Sequence, residues 1–333
     1  MKKISTIRII GSGGLEMTVS SYGAKILSLL VPNSRGEKED VLLGFSSMQE
    51  WQTLEPSFNA VIGRFANRIK HGRFTLDGKT YQLPVNCAGN TLHGGTIGFQ
   101  QRVWDIVEQT PCSVSMHYCS PDGEQGFPGT LEIYVTYQLT QDNALCITYK
   151  AETTAPTILN LTQHAYFNLE GEGTTSVRDH ILQINADRYT PLDGTNCPTG
   201  HICPVQGTAM DFSLPTRIGD RIDEPFFART RGIDANWVLN EPAANQQLRL
   251  AATLRAGERE MQVLTTSPGL QVYTANFVEQ NIGKSGVMYQ PQNAICLETQ
   301  NFPDAPNKAD YPSPVLRPGE IYNQAIIFSF SVR

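Results

Sequence analysis

Residues that can move protons or bind hydroxyl groups stand at loop and strand-end positions of this 333-residue chain. Glu298 lies in the segment 294–307, where large aliphatic residues alternate with Cys296, Glu298 and Gln300, as in a strand with two different faces. Prolines and asparagines at 301–307 then predict a rigid polar loop. A carboxylate held between a strand and a rigid loop can act as a general acid or base. On this segment alone, a glutamate exposed at the end of a strand is the more common interpretation.

Four further segments combine histidine, arginine, asparagine or aspartate with glycine or aromatic residues: 63–69, 90–95, 160–169 and 232–237. Buried polar groups are costly unless they are hydrogen-bonded, so these segments either brace loops or bind a ligand with many hydroxyl groups. Taken singly, most of these residues have an ordinary role in a turn or in the core. A third hypothesis is a metal site formed by His93, His164 and Glu298, since two histidines and a carboxylate can bind a metal ion.

The elements that must position these residues are predicted to be strands. Apolar and polar residues alternate through 130–140 and again through 145–149, which predicts a hairpin with one exposed face. The dipeptide Asp77-Gly78 between 73–76 and 79–83 is a strong signal for a second hairpin. Similar patterns predict strands at 15–20, 24–31, 179–186, 248–254, 260–266, 270–277 and 325–332.

Helical signals are scarce. The segment 48–51 favours a short helix with Ser46 or Ser47 as its cap. No long amphipathic helical period and no G-x-G-x-x-G or G-x-x-x-x-G-K-[ST] motif occurs, which argues against nucleotide-binding α/β folds. Many short antiparallel strands without a repeat period predict an all-β fold, a large antiparallel β-sandwich. No composition shift divides the chain, so we expect residues 1–333 to form a single domain.

The segment 190–231 is rich in loops, prolines and glycines, and we interpret it as an elaborate insertion in that domain. It is unlike a flexible tether, because it carries large apolar residues. Five of these are expected to be buried: Met210, Phe212, Leu214, Phe226 and Phe227.

Composition narrows the class of partner. Hydrophobic residues make up 40% and charged residues 17% of the chain, as in a soluble globular protein, and the net charge of −6 argues against nucleic acid or an anionic membrane as a partner. The segment 1–14 is too short and too polar for a signal peptide or a membrane span. The seven cysteines lack C-x-x-C spacing and indicate reduced thiols in a cytoplasmic protein; a pair formed by Cys197 and Cys203 would rest on their closeness in sequence alone.

Five motifs follow one another along the chain: Asn67-Arg68-Ile69, Leu92-His93-Gly94-Gly95, Gln125-Gly126-Phe127-Pro128-Gly129, Asn160-Leu161-Thr162-Gln163-His164 and Leu297-Glu298-Thr299-Gln300-Asn301. In this order they resemble the aldose 1-epimerase (galactose mutarotase) family, and weaker similarities extend to Glu320. The resemblance implies the galactose mutarotase-like supersandwich, a large antiparallel β-sandwich. It also implies a cofactor-free isomerase that interconverts the α and β anomers of a free hexose, such as galactose or glucose, by acid/base ring opening.

By the same resemblance, Glu298 is expected to be the general base and His164 the general acid. The residues expected to bind the sugar are Asn67, Arg68, His93, Asp234 and Gln271, with no metal ion and no cofactor. The chain departs from the family pattern at Gln163, where asparagine is usual, at Ala235, where histidine is common, and at Gln100-Gln101, where Asp-Lys is frequent. These departures leave the acid/base pair intact and bear on the sugar preference.

Three other functions remain open. A hexose-phosphate 1-epimerase of the same fold would need additional cations, for which Arg64, Arg68 and Arg102 are the candidates. A non-catalytic sugar-binding protein would not need the acid/base pair, and a metal-dependent enzyme would use the histidines as ligands. For the epimerase we expect a small aldose as the partner, no nucleic acid and no membrane, and a monomer or homodimer.

Overall fold

The structure is a computed structural model that describes residues 2–240, 248–278 and 281–333. Within these ranges a short α-helix, α1, spans Met48–Thr53, and 3₁₀ turns lie at Lys70–Gly72, Phe99–Gln101, Glu124–Gly126, Val177–Asp179, Ile218–Asp220, Pro225–Thr230 and Ala305–Asn307. The strands are β1 Thr6–Ile10, β2 Glu16–Ser20, β3 Ile26–Pro32, β4 Lys38–Asp40, β5 Val61–Ile62, β6 Arg68–Ile69, β7 Arg73–Leu76, β8 Lys79–Gln82, β9 Thr91–Leu92, β10 Asp105–Gln109, β11 Ser113–Ser120, β12 Leu131–Leu139, β13 Ala144–Thr153, β14 Thr157–Ile158, β15 Thr162–Gln163, β16 Ile181–Ile184, β17 Arg188–Thr190, β18 Cys203–Pro204, β19 Thr216–Arg217, β20 Asp234–Val238, β21 Arg249–Ala256, β22 Arg259–Thr265, β23 Gly269–Tyr273, β24 Cys296–Gln300, β25 Val315–Leu316 and β26 Tyr322–Val332.

The strands form antiparallel sheets. A nine-stranded sheet has the order β10-β11-β12-β13-β26-β22-β21-β16-β19, a five-stranded sheet has the order β18-β17-β20-β23-β24, and a four-stranded sheet has the order β1-β2-β3-β4. Four two-stranded pairs, β14-β25, β15-β5, β6-β9 and β7-β8, complete the described sheets. The expected large antiparallel β-sandwich is therefore confirmed.

The main hydrophobic core explains why these sheets pack together. One face of the nine-stranded sheet contributes Ile133, Val135 and Phe328, and the smaller sheets cover that face with residues such as Ile9 and Trp237. Burial of each large aliphatic or aromatic side chain stabilises the fold by about 1.5–3 kcal/mol. In β12 buried residues alternate with half-buried or exposed ones, so one face of this sheet reaches the core while the other meets solvent.

The strands predicted from alternation all correspond to observed strands, with different ends. The Asp77-Gly78 hairpin is formed by β7 and β8, and the longer hairpin by β12 and β13. The strand expected at 270–277 ends early, at Tyr273, because the chain leaves the sheet and Ala275 takes a positive φ of 51°. The cap of α1 is Ser47, which forms a capping box with Glu50.

The insertion at 190–231 is only partly as predicted. Met210, Phe212 and Phe227 are buried, and the indole N–H of Trp237 donates to the Met210 carbonyl at 2.9 Å. The expected burial of Leu214 and Phe226 is wrong, because they are 72% and 49% exposed. Large apolar residues in loops need not reach the core, since much of a folded surface is apolar.

All seven cysteines lie in the described residues and are free, so Cys197 and Cys203 form no disulfide. Cys197 and Cys296 are buried, and Cys119 is exposed. Among the described helices, none has the length and apolar character needed to cross a membrane.

His180 is a buried histidine of the core that makes stability depend on pH. Its Nε2 accepts a hydrogen bond from the backbone N–H of Leu169 at 3.1 Å, and burial lowers the pKa of His180 to about 4. The unfolded chain binds this proton near pH 6.5, so stability is full above pH 6.5 and falls as the pH drops from 6.5 to 4. We expect the free energy of unfolding to fall by roughly 3 kcal/mol from this residue over that interval.

The measurement is urea unfolding of the unmodified protein and of His180→Gln at pH 7.5 and pH 4.5. Glutamine can accept the same hydrogen bond without taking up a proton, so the variant should lose less stability at the lower pH. His201→Gln is the matched control, because His201 is exposed. An equal loss of stability in His180→Gln and in the unmodified protein would contradict this assignment.

Candidate active site

The candidate site lies on one face of the five-stranded sheet. Glu298 in β24 is opposite Gln271 in β23, and Gln271 is opposite Asn236 in β20. Directly opposed residues of an antiparallel sheet project from the same face. Leu297 and Val272 project from the other face and pack in the main core. The alternation in the sequence therefore placed Glu298 correctly on the polar face.

Glu298 is buried, with 2% of its surface exposed, so a glutamate in open solvent at a strand end is not what the structure shows. The hydroxyl of Thr162 in β15 donates to the carbonyl of Thr299 at 3.1 Å, and this hydrogen bond holds β15 against β24. Burial raises the pKa of Glu298 well above its usual range. The carboxylate of Asp234 raises this pKa further, and the guanidinium of Arg68 opposes both effects.

His164 follows β15 directly and is held by its backbone. Its carbonyl accepts from the N–H of Asn59 at 2.9 Å, and its own N–H donates to the carbonyl of Ala60 at 3.0 Å. The side-chain oxygen of Asn59 accepts from the N–H of Tyr166 at 2.8 Å. Asn59 has a φ of 50°, a conformation that asparagine tolerates better than most residues. The position of the imidazole thus depends on a contact with a segment about 100 residues earlier in the chain.

His164 and Glu298 are direct neighbours. Nε2 of His164 and Oε1 of Glu298 are 3.6 Å apart, and the two side chains are 5% and 2% exposed. This distance exceeds that of a good hydrogen bond. Burial lowers the pKa of His164 to about 3, with a smaller contribution from the positive charge of Lys25. Because burial disfavours charge on both groups, the pair favours a neutral imidazole beside a neutral carboxyl.

His93 lies against His164, with the two rings edge to face and their centroids 5.2 Å apart. The backbone N–H of Asn67 donates to Nδ1 of His93 at 3.2 Å, so a neutral His93 ring carries its proton on Nε2. Burial lowers the pKa of His93 well below its usual value, and His164 and Arg68 lower it further. His93 is therefore uncharged, with an Nε2–H group that can donate a hydrogen bond.

Arg68 is positioned by the loop that follows β24. The backbone N–H of Asp304 donates to the Arg68 carbonyl at 2.8 Å, and Oδ1 of Asp304 accepts from the N–H of Lys70 at 2.9 Å. Asn67 accepts from the backbone N–H of Arg68 at 2.9 Å through its side-chain oxygen. Asp304 was not among the predicted site residues; the sequence signal for it was an aspartate next to Pro303 in the expected rigid loop.

Asp234 and Gln271 contact each other beside Glu298. Nε2 of Gln271 donates to Oδ1 of Asp234 at 2.6 Å, which ties the start of β20 to β23. Each predicted site residue thus contacts or lies opposite another one. The structure brings together all seven: Asn67, Arg68, His93, His164, Asp234, Gln271 and Glu298.

Several buried polar atoms in this region have no hydrogen-bond partner within the described part of the chain. They include Nδ1 of His164, Oε2 of Glu298, Nε of Arg68 and the side-chain amide of Gln300, which projects from the same face as Glu298. Such atoms are costly unless something satisfies them. Asn67 and His93 brace loops through their hydrogen bond. The unpaired atoms of the other residues indicate, in addition, a ligand with several hydroxyl groups.

Two tyrosines of the site were missed by the sequence analysis. The ring of Tyr166 stacks on His164 with centroids 4.9 Å apart, and Tyr273 meets His164 edge to face at 6.1 Å. A signal was present, because each tyrosine stands two positions after a predicted site residue. The two rings restrict the rotation of the imidazole and keep water from it.

Three residues that depart from the family pattern, Gln163, Gln100 and Ala235, have structural contacts of their own. Gln163 donates to the carbonyl of Asn59 and accepts from the hydroxyl of Tyr137 at 2.9 Å, behind His164. The amide of Gln100 donates to the His93 carbonyl at 3.2 Å. Ala235 projects into the main core. Gln100 therefore braces the backbone of His93, and Gln163 holds Asn59, which in turn holds the backbone of His164.

The hypothesis of a metal site receives no support from the geometry. Across residues 2–240, 248–278 and 281–333, no group of three or more histidine, cysteine, aspartate or glutamate side chains is arranged to hold a metal ion. Nδ1 of His93 accepts a hydrogen bond from the backbone of Asn67, which leaves only its Nε2 for a ligand.

Comparison with known proteins identifies the family. The family model described as aldose 1-epimerase matches residues 5–329. Galactose mutarotase from Mus musculus is 42% identical over 324 residues, which cover 96% of this chain and 92% of the mouse protein. Aldose 1-epimerase from Escherichia coli strain K12 is 37% identical over 337 residues, which cover 98% of this chain and 95% of that protein.

Solved structures of similar proteins have the same fold as this chain. A GalM/aldose epimerase homologue from C. elegans superposes with a TM-score of 0.91 at 31% identity, covering 99% of both chains. Galactose 1-epimerase from Lactobacillus acidophilus superposes with a TM-score of 0.85 at 26% identity, covering 100% of this chain and 99% of the other. The predicted resemblance is confirmed over nearly the whole chain, and the protein belongs to the aldose 1-epimerase family.

Proposed function

We propose that the protein interconverts the α and β anomers of a free hexose, with Glu298 as general base and His164 as general acid. The observation that supports this assignment is the 3.6 Å separation between Oε1 of Glu298 and Nε2 of His164 inside a buried polar cluster. The two oxygens that exchange protons in this reaction are bonded to the same carbon of the sugar. An acid and a base that serve both must therefore be close neighbours.

The reaction follows from this pair. The Glu298 carboxylate removes the proton from the anomeric hydroxyl, and the His164 imidazolium gives its proton to the ring oxygen. The C1–O5 bond breaks, the aldehyde forms, and rotation about C1–C2 presents its other face. Reversal of both proton transfers then closes the ring to the other anomer. General acid and general base catalysis typically contribute about 10²–10⁴-fold each.

The burial of the pair supports this cycle. Ring opening converts a carboxylate and an imidazolium into a neutral carboxyl and a neutral imidazole. Burial raises the pKa of Glu298 and lowers that of His164, so it stabilises the neutral pair that accompanies the open-chain sugar. Ring closure returns both protons to the two groups, so the complete cycle takes no net proton from solvent.

The other polar groups bind and orient the sugar in this proposal. Arg68, Asn67 and the Nε2–H of His93 supply donors on one side of the pair, and Asp234 and Gln271 supply polar groups on the side of β20 and β23. His164 and Arg68 are close enough to His93 to lower its pKa further and disfavour a charge on its imidazole. These donors and acceptors can form hydrogen bonds with several hydroxyl groups of a hexose.

Polarimetry on freshly dissolved, anomerically pure galactose, glucose and glucose 6-phosphate tests the function. We expect rapid mutarotation of the free hexoses and slower reaction of the phosphate, because Arg64 donates to the carbonyls of Pro128 and Ser120 and is not available to a phosphate. A preference for glucose 6-phosphate would favour the hexose-phosphate 1-epimerase. Sugar binding without a change in optical rotation would indicate a binding protein, and loss of activity with a chelator would indicate a metal enzyme.

We further propose that the protein works as a single domain in the cytoplasm, as a monomer or homodimer, without nucleic-acid partners. The last strand, β26, pairs with β13 and β22 in the middle of the nine-stranded sheet, and residues of β1, such as Ile9, pack in the same hydrophobic core. Seven free cysteines are typical of a reducing compartment, and the net charge of −6 does not favour phosphate backbones.

A further inference from the structure

Lys25, the residue that precedes β3, has no exposed surface. Lysine is almost never fully buried, because removing its ammonium group from water is costly unless other groups compensate. Burial lowers the pKa of Lys25 to about 7, and the carboxylate of Glu55 opposes that shift. The rings of Tyr22 and Trp51 face its Nζ, with centroids 5.8 and 5.9 Å away. A cation at such a position needs a reason in the contacts that it makes.

The side chain of Lys25 binds the main chain of the segment 56–60, which lies in the connection from α1 to β5. Its Nζ donates to the carbonyl of Phe58 at 3.2 Å and also to the carbonyl of Pro56. Hydrogen bonds from a charged donor are stronger than those between neutral groups, and burial strengthens them further. The ammonium group therefore fixes two carbonyls of this segment in place.

The same segment holds the proposed general acid. The N–H of Asn59 donates to the carbonyl of His164 at 2.9 Å, and the carbonyl of Ala60 accepts from the N–H of His164 at 3.0 Å. Oδ1 of Asn59 accepts from the N–H of Tyr166, whose ring stacks on the imidazole of His164. The segment 56–60 is thus bonded to Lys25 through one pair of residues and to His164 through the next.

Lys25 also acts on His164 through its charge. Burial is the main cause of the low pKa of His164, and the positive charge of Lys25 lowers that pKa further. The ammonium group is therefore near enough to the imidazole to interact with it. A neighbouring positive charge disfavours the imidazolium form, which favours the transfer of its proton to a substrate.

We propose that Lys25 is a positioning residue of the isomerase: its ammonium group fixes the segment 56–60, which in turn holds the imidazole of His164 beside Glu298. The proposal rests on the proposed function, because it gives Lys25 no role unless His164 is the general acid. Lys25 has no exposed surface, so it is expected to act on proton transfer without touching the sugar. Its loss should therefore lower kcat and leave KM nearly unchanged.

The test is polarimetry on pure α-galactose and α-glucose with Lys25→Met, alone and combined with His164→Gln. Methionine keeps most of the apolar stem and removes the ammonium group. We expect kcat of Lys25→Met to fall about tenfold with KM within about twofold, since displacing a reacting group by about 1 Å can cost about 10²-fold. In the His164→Gln background the same substitution should change kcat by less than about twofold, because no general acid is left to position.

Lys284→Met is the matched control. Nζ of Lys284 donates to the carbonyl of Leu27 at 2.9 Å and pairs with Asp40 at 2.7 Å, and these two residues lie in β3 and β4. This lysine therefore also holds a main-chain carbonyl, and Lys284→Met should keep the kcat of the unmodified protein. Thermal unfolding shows whether each variant is folded. If Lys25→Met does not fold, Lys25→Gln takes its place, with kcat expected to fall at least about twofold alone and not at all beside His164→Gln.

The outcomes separate this proposal from the proposed function. An unchanged kcat in Lys25→Met would overturn the positioning role and leave the isomerase intact. An equal loss of kcat in both backgrounds would also overturn it, because a general loss of structure lowers any residual activity. A rise in KM at unchanged kcat would do the same, since Lys25 would then act on sugar binding. Full activity of His164→Gln would contradict the proposed function itself.

Discussion

Replacing Glu298 by glutamine is expected to lower kcat for mutarotation by about 10²–10⁴-fold. Glutamine has the same shape and can keep the packing around position 298, but it cannot accept a proton from the anomeric hydroxyl. Because Glu298 is buried and its pKa is raised, the substitution removes a costly carboxyl group, and thermal stability should be equal or higher. Polarimetry on pure α-glucose or α-galactose, with thermal unfolding alongside, measures both effects.

Glu152→Gln is the matched control, because Glu152 lies on the exposed face of β13, away from the site. It should leave kcat and KM as in the unmodified protein. Activity of Glu298→Gln close to that of Glu152→Gln would reject the role of Glu298 as the general base. A loss of activity accompanied by unfolding would count against the expected stability, and Glu298→Asp, which keeps the carboxyl group, would then separate chemistry from folding.

Replacing His164 by glutamine is expected to lower kcat to a similar extent, about 10²–10⁴-fold. The nitrogen that faces Glu298 is Nε2, and the side-chain amide of glutamine reaches about the same position but cannot transfer a proton to the ring oxygen. The backbone of residue 164 is held by Asn59 and Ala60, so its path should not change. Mutarotation measured at saturating sugar gives kcat, and the sugar dependence gives KM, which should change far less.

The double variant tests whether the two residues act as one unit. If acid and base work in the same step, His164→Gln combined with Glu298→Gln should be about as slow as either single variant, since residues that act together are strongly non-additive. His180→Gln is the control for replacing a buried histidine, because His180 packs in the main core and should affect stability only. Multiplicative losses in the double variant would show that the two groups act independently.

Much of the fold follows from local sequence patterns. The alternation in β12 and β13 predicts a hairpin with one buried face, and the Asp77-Gly78 turn joins β7 and β8 as expected. Alternation also predicts which way Glu298 points. These features depend on neighbours along the chain and on the two-residue period of a strand, so the sequence alone determines them.

The candidate site required more than local pattern. The seven site residues were selected through the family resemblance, since each by itself had an ordinary structural explanation. Their proximity comes from strand register, which places Gln271 between Asn236 and Glu298, and from loops that meet across the fold, as Asp304 meets Arg68. Contacts between residues far apart in sequence leave no local period to detect.

The sequence by itself determined that strands would form, where hairpins would turn and which face of β24 would carry Glu298. Only the tertiary structure decided that Glu298 and His164 are buried together, which sets the direction of both pKa shifts. It also decided that Gln163 and Gln100 hold the segments behind the two histidines and that Phe226 stays exposed. The physical reason is that burial, desolvation and side-chain hydrogen bonds depend on which distant segments pack together.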